Sequence, residues 1–134
     1  MQVAYVSGPY RGKHWWDRLL NIWRARQASI ELWKQDYAVI CPHMNTAWFD
    51  NHGCDWLKGD LEFIKRLNPE TDFLYMLKRW RKSPGAIAEW LVAKELGIKI
   101  VYEGGEPCAN TSTSTRKTTV KQKNSRESVK SAGM

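Results

Sequence analysis

Four short runs rich in β-branched and aromatic residues alternate with longer stretches of helical pattern, and this alternation restricts the fold more than any other feature of the chain. Val3-Ala4-Tyr5-Val6-Ser7 ends at Gly8-Pro9, a turn signal. From about Trp16 to Gln35 no Gly or Pro intervenes, and Ile22, Ala25, Ser29 and Leu32 recur at three- and four-residue spacing, which predicts a helix. Tyr37–Cys41 reads as a second strand stopped by Pro42, and 42–55 as a loop rich in Pro, Asn, Asp and Gly. A helix over about Trp56–Leu67 and a strand over Asp72–Leu77 follow. Ser83 is placed as an N-cap with Pro84 at the first helical position, a preferred pair. That helix runs to Leu96 and stops at Gly97, and Ile98–Tyr102 is the fourth strand. The order β-α-β-α-β-α-β predicts an α/β fold, a flavodoxin-like or Rossmann-like parallel sheet of four to five strands with helices on both faces. Its ligand is expected at the carboxyl ends of the strands, beside Gly8–His14, Pro42–Asp55 and Lys78–Ser83.

The chain's 134 residues suit one domain and suffice to bury a core. Net charge is +7, but it is unevenly spread: residues 107–134 hold six basic side chains and one acidic, so residues 1–106 carry only +2. With ten Ser/Thr and almost no large aliphatic residues, 107–134 reads as a disordered basic tail, and 1–106 as the folded domain. The folded part has no basic footprint for nucleic acid, and the tail has no aromatics to stack on bases. No apolar run reaches the ~18 residues of a membrane span, and the start lacks the pattern of a secretory signal. Three cysteines, Cys41, Cys54 and Cys108, sit at no metal-ligand spacing. The expectation is a cytoplasmic protein with free thiols.

Three segments carry chemistry. In Tyr5-Val6-Ser7-Gly8-Pro9-Tyr10-Arg11-Gly12, two glycines let backbone approach a ligand and Arg11 offers a planar fork to a phosphate. The segment lacks both the P-loop ending and the dinucleotide fingerprint. In Ser83-Pro84-Gly85-Ala86-Ile87-Ala88-Glu89, the helix start favours an anion, Gly85 leaves space, and Glu89 lies nearly two turns in. In Gly59-Asp60-Leu61, a helical carboxylate could meet Glu89 across the cleft and form a pair of acids fit for glycosidic-bond chemistry. Each segment alone is also an ordinary turn, cap or solvated helix residue.

Taken together, Tyr-x-x-Gly-x-x-Arg-Gly at the start, Asp-Leu in the middle helix, and Ser-x-Gly-…-Glu followed by Ala-x-x-Leu-Gly-Ile resemble the nucleoside 2′-deoxyribosyltransferase superfamily. The nearest look is to its 2′-deoxynucleoside 5′-monophosphate N-glycosidases, and to uncharacterised, often phage-borne proteins with the same Ser-Gly-Pro-Tyr-Arg-Gly opening. The resemblance covers residues 1–103. It implies that Glu89 attacks C1′ of the sugar, that Asp60 orients the sugar and handles protons, and that Tyr5 positions the nucleophile. It further implies that Gly8, Arg11 and Ser83 hold the 5′-phosphate. Pro9 stands where the monophosphate glycosidases carry a serine, removing one contact. Gly12 and Gly85 complete the substrate-binding set. The resemblance implies no metal and no cofactor, and it implies a homodimer in which a neighbouring subunit lends a residue to the site.

In the loop 42–55, His43 and Asn45 are expected to contact sugar or base, and its two His, one Cys and two Asp match no standard metal pattern. Eight tryptophans are many for this length; most are expected in the core or a subunit interface, with Trp15, Trp48 and Trp80 beside the ligand loops. The function expected is hydrolysis of the N-glycosidic bond of a (2′-deoxy)nucleoside 5′-monophosphate. The alternatives are a deoxyribosyltransferase on free nucleosides, a non-catalytic nucleotide-binding protein, and a nucleic-acid partner acting through the tail.

Overall fold

Alternate residues of β1 (Val3–Ser7) face opposite ways, and both directions are apolar: Ala4 and Val6 enter one core, Tyr5 the other. A strand buried on both faces belongs in the middle of a sheet, which is where β1 lies. The structure, a computed structural model, describes residues 1–49 and 52–105. After β1 come α1 (Trp15–Lys34), β2 (Ala38–Ile40), α2 (Pro42–Asn45), α3 (Trp56–Lys65), β3 (Phe73–Met76), a 3-10 turn at Trp80–Lys82, α4 (Pro84–Glu95) and β4 (Lys99–Tyr102). The four strands are all parallel in the order β2-β1-β3-β4. This is the flavodoxin-like α/β arrangement that the alternation predicts, with four strands among the described residues.

Helix α1 lays Ala25 and Leu32 on Ala4, Val6 and Phe73. Helices α3 and α4 cover the other face, where Ile64, Ala86 and Ala93 pack with Tyr5, Leu74 and Met76. Asp72 ties the start of the sheet together. Its carboxylate accepts from the Val3 and Asn68 N–H groups at 2.9 and 2.8 Å and from the Thr71 hydroxyl at 3.1 Å.

The chain leaves β1 toward β2 on one side, then crosses back to β3 on the other. The order therefore reverses at β1 and β3, and the crevice outside their carboxyl ends is where such sheets bind ligands. Two segments differ from expectation. Pro42, with its preset φ, opens a short helix (α2) in what reads as loop. In 78–83, Arg79 takes a left-handed backbone (φ 65°) and starts the 3-10 turn, which buried Trp80 anchors. The basic tail lies outside the described residues, as do Asp50 and Asn51.

The tryptophans divide between core and surface. Trp80 is buried and Trp56 and Trp90 half-buried, whereas Trp15, Trp16, Trp23, Trp33 and Trp48 are all more than half exposed. On α1 the core-facing stripe is small (Ala25, Ser29, Leu32), so its tryptophans fall on the opposite side. Among the described residues no helix is long and apolar enough to cross a membrane.

Candidate functional site

A cleft of about 630 Å³ opens at the carboxyl ends of β1 and β3. Its walls come from the loop after β1 (Gly8, Tyr10, Arg11, Gly12), from the start of α2 (Pro42, His43, Thr46), and from α3 (Leu57, Asp60). The start of α4 supplies Ser83, Gly85, Ala86 and Glu89. One loop and three helices, with the residues that cap them, thus bring most of the expected residues into one volume. Pro9 and Asn45 do not line it. Pro9 instead presents its carbonyl to the His43 ring, and Asn45 is exposed at the end of α2.

The α4 start is built as expected. Ser83 Oγ accepts from the Ala86 N–H at 3.2 Å, which caps the helix while leaving the hydroxyl proton available to a ligand. Pro84 has no N–H, so Gly85 carries the first amide of a turn that has no intrahelical partner for it. Lys82 stands immediately before this cap and lines the cleft beside it. With Arg11 it makes one end of the cleft attractive to an anion.

The carboxylates lie elsewhere in the same cleft. Glu89 is buried, and burial pushes its carboxyl up to about 8; the Asp60 charge acts in the same direction, while the Ser7 and Tyr5 hydroxyls oppose it. Asp60 is raised to about 6 by burial. Tyr5 lies behind Glu89, fully buried, with its phenol driven far above its ordinary value by burial and then by the Glu89 and Asp60 charges. It therefore stays protonated and can only support a carboxylate as a donor. The Tyr5 hydroxyl, the Ser7 hydroxyl and Glu89 Oε2 are all buried without a hydrogen bond of full geometry. The two hydroxyls are nonetheless close enough to favour the charged glutamate. Loose contacts of this kind are common in empty sites and tighten around substrate.

The glycines of the opening motif are explained by packing. A Cβ on Gly8 would lie 2.7 Å from Leu77 Cβ, and one on Gly12 would overlap the Cβ of Asp17. Asp17 accepts from the His14 N–H at 2.9 Å and so closes the first turn of α1. Gly85 differs: a Cβ there would meet only Leu57 and Ser83 at 3.9 Å, so its smallness matters to the cleft and not to the fold.

His43 is buried, with Nε2 2.8 Å from the Pro9 carbonyl oxygen, and burial lowers its pKa. Arg18 packs over both Tyr10 and Trp48, 5.3 and 5.1 Å from the ring centroids, and the Trp48 N–H donates to the Tyr10 hydroxyl at 2.9 Å. This joins the loops after β1 and β2 at the cleft mouth. Tyr10, Thr46, Cys54, Asp55 and Lys82 fall within the three expected ligand segments without being singled out there, and Trp56 and Leu57 lie beyond them. Among the described residues no group of three or more His, Cys, Asp or Glu could hold a metal ion.

The fold and cleft define a class: a parallel α/β domain with a buried glutamate and a half-buried aspartate at the topological switch point and an anion-attracting helix start in the same cleft. Residues 2–102 match the family described as Domain of unknown function (DUF4406), and the chain belongs to that family. No curated protein and no solved structure matches the chain.

Proposed function

We propose that the protein hydrolyses the N-glycosidic bond of a (2′-deoxy)nucleoside 5′-monophosphate, releasing free base and sugar 5-phosphate. The observation that carries this reading is Glu89, a buried carboxyl backed by two hydroxyls in a cleft that also holds Asp60 and, at the α4 start, groups suited to a phosphate. The resemblance of the opening motif and the Ser83–Glu89 segment to nucleoside 2′-deoxyribosyltransferases supports it.

The chemistry follows from the pair. Departure of a base from C1′ leaves an oxocarbenium-like sugar, which an adjacent carboxylate stabilises and captures. With Asp60 near 6 and Glu89 near 8, the two carboxyls together hold about one proton at neutral pH. That proton rests mainly on Glu89, and its transfer to Asp60, the less populated form, leaves Glu89 ionised for attack and Asp60 ready to protonate the departing base. The Glu89–C1′ bond forms as the C1′–N bond breaks. Water, deprotonated by Asp60, then attacks C1′ and releases Glu89. Arg11, Lys82 and the α4 start would bind the 5′-phosphate, which a free nucleoside lacks; this favours hydrolysis of a monophosphate over transfer between nucleosides.

The test is incubation of the purified protein with each deoxy- and ribonucleoside 5′-monophosphate, with free base read by chromatography. Base release that disappears in Glu89→Ala is the expected result; no release from any of them overturns the enzyme reading. We place the protein in the cytoplasm, in keeping with free cysteines at no metal-ligand spacing, and read it as a homodimer, supported by the exposed tryptophans of α1. Light scattering at two concentrations checks the mass.

A further inference from the structure

Ser7 is the last residue of β1 and only 1% exposed. It follows Tyr5 by two positions, so the two side chains leave the strand on the same face, toward α4. Their neighbours on that face are apolar, Leu74 and Met76 on β3 and Ala86 on α4. A hydroxyl in such a place is costly. Left without a partner, it forfeits about 1–3 kcal/mol of hydration, whereas alanine would fill the position at no such cost. No backbone group or other side chain takes up the Ser7 hydroxyl. The helix on that face, α4, buries Glu89, whose own Oε2 is equally buried and equally unpartnered.

The surroundings of Glu89 leave few other sources of support. From β1 it meets Tyr5 and Ser7, and from α3 it meets Asp60, a like charge that opposes its ionisation. Arg11, Lys82 and His43 also line the cleft. Two hydroxyls of one strand therefore favour the Glu89 anion against its burial. Tyr5 is the partner that the motif suggests; Ser7 is the second, and nothing in the sequence pattern singles it out.

We infer that Ser7 is a positioning residue for Glu89: its hydroxyl donates to the carboxylate and, with the Tyr5 hydroxyl, holds it ionised and aimed into the cleft. This rests on the proposed role of Glu89 for its link to catalysis, but the contact itself can be tested without any substrate.

The experiment titrates the side-chain carboxyl of Glu89 by ¹³C NMR in the full-length protein labelled with ¹³C-glutamate, the resonance being assigned by its loss in Glu89→Gln. Wild type is compared with Ser7→Ala and with Ser7→Thr, which restores a hydroxyl; Ser7→Cys, nearly the same size, stands in if the extra methyl of threonine prevents folding. In Ser7→Ala the Glu89 midpoint moves up by about one pH unit, a tenfold gain in proton affinity, as loss of one charge-assisted hydrogen bond requires. Ser7→Thr, or Ser7→Cys in part, returns it toward wild type. Thermal stability of Ser7→Ala stays at or above that of wild type, because a buried hydroxyl has been removed. An unmoved midpoint overturns the inference. If the midpoint moves but no nucleotide yields base, Ser7 keeps its role and the glycosidase reading fails. If base is released and the midpoint does not move, the reverse holds. Where activity is present, the acid limb of kcat/KM should shift with the midpoint while KM is unchanged.

Discussion

The Nε2 atom of His43 lies 2.8 Å from the carbonyl oxygen of Pro9, a contact that ties the start of α2 to the loop after β1. A carbonyl can only accept, so Nε2 carries the proton. Burial disfavours a second one, which leaves Nδ1 as an acceptor. Nδ1 is buried and unpartnered, in a residue that lines the cleft. The ring thus fixes two loops with one nitrogen and offers the other to a hydroxyl or amino donor.

Burial of the His43 ring makes stability depend on pH with a definite sign. The folded protein holds His43 below its ordinary 6.5, so its contribution is full above that pH and is lost as pH falls below it. His43→Gln should cost about 1 kcal/mol at pH 7.5 through the weakened link to Pro9. The gap between wild type and variant should narrow at pH 5, where wild type is penalised for keeping the ring neutral. Thermal melts at the two pH values check this, and a gap that widens on acidification would contradict it.

Glu89 works in the opposite direction. Its folded value, near 8, is above the ordinary 4.5, so the protonated form favours the fold, and stability is lost as pH rises through 8. Glu89→Gln removes the buried charge and should stabilise the protein at pH 9 by a few kcal/mol, with the difference disappearing below about pH 4.5. Denaturant midpoints across that range measure it. A variant more stable than wild type and devoid of activity is what a residue kept for function and not for folding produces.

The glycines separate the fold from the cleft. Gly8→Ala forces a Cβ to within 2.7 Å of Leu77, which sits in the α1-side core, and should destabilise by about 1–3 kcal/mol. Gly85→Ala meets nothing closer than 3.9 Å and should be neutral or slightly stabilising, since alanine is the better helix former. It should nonetheless weaken ligand binding, because the added methyl projects where the cleft is lined. Melting curves beside equilibrium titration with a nucleoside monophosphate distinguish the two effects.

Much of this was legible in the residues because it is local chemistry. Ser83-Pro84 announces a helix start in any context, and Glu89 lies at a fixed distance from it on the same helix, so cap and carboxylate are read together. The strands are legible because each is a short apolar run closed by Gly, Pro or Asn. What escaped depends on neighbours distant in sequence. Gly8 reads as a ligand-approach glycine until Leu77 is seen against it, and Ser7 reads as a polar strand end until Glu89 is found facing it. The cleft wall from Thr46 and 54–57 depends on how the segment after α2 returns to α3, and no periodicity encodes such a path. Which tryptophans enter the core is likewise not legible: α1 buries Ala25, Ser29 and Leu32, so Trp15, Trp16, Trp23 and Trp33 lie on its surface.

The phosphate end of the cleft carries the last expectation. Ser83 caps α4 with its oxygen and keeps its proton for a ligand, Gly85 supplies a helix-start amide, and Arg11 and Lys82 bring two positive charges to the same cleft. A charge-assisted hydrogen bond to phosphate contributes about 1.5–3 kcal/mol, so Arg11→Ala should raise KM for a monophosphate by roughly 10- to 100-fold while changing kcat much less. Ser83→Ala removes both a ligand contact and a cap, so it should raise KM and also lower stability by about 1 kcal/mol. Lys82→Ala should affect KM alone and by less than Arg11→Ala, because both positions are exposed and an ammonium lacks the two-pronged grip of a guanidinium on phosphate. With a free nucleoside as substrate all three variants should match wild type in KM, since no anion is present for these groups to hold. Steady-state kinetics on the two substrate forms supply the comparison. Equal losses on both would mean that Arg11 and Ser83 shape the cleft without reading the phosphate, and preference for a phosphorylated substrate would then have to come from elsewhere.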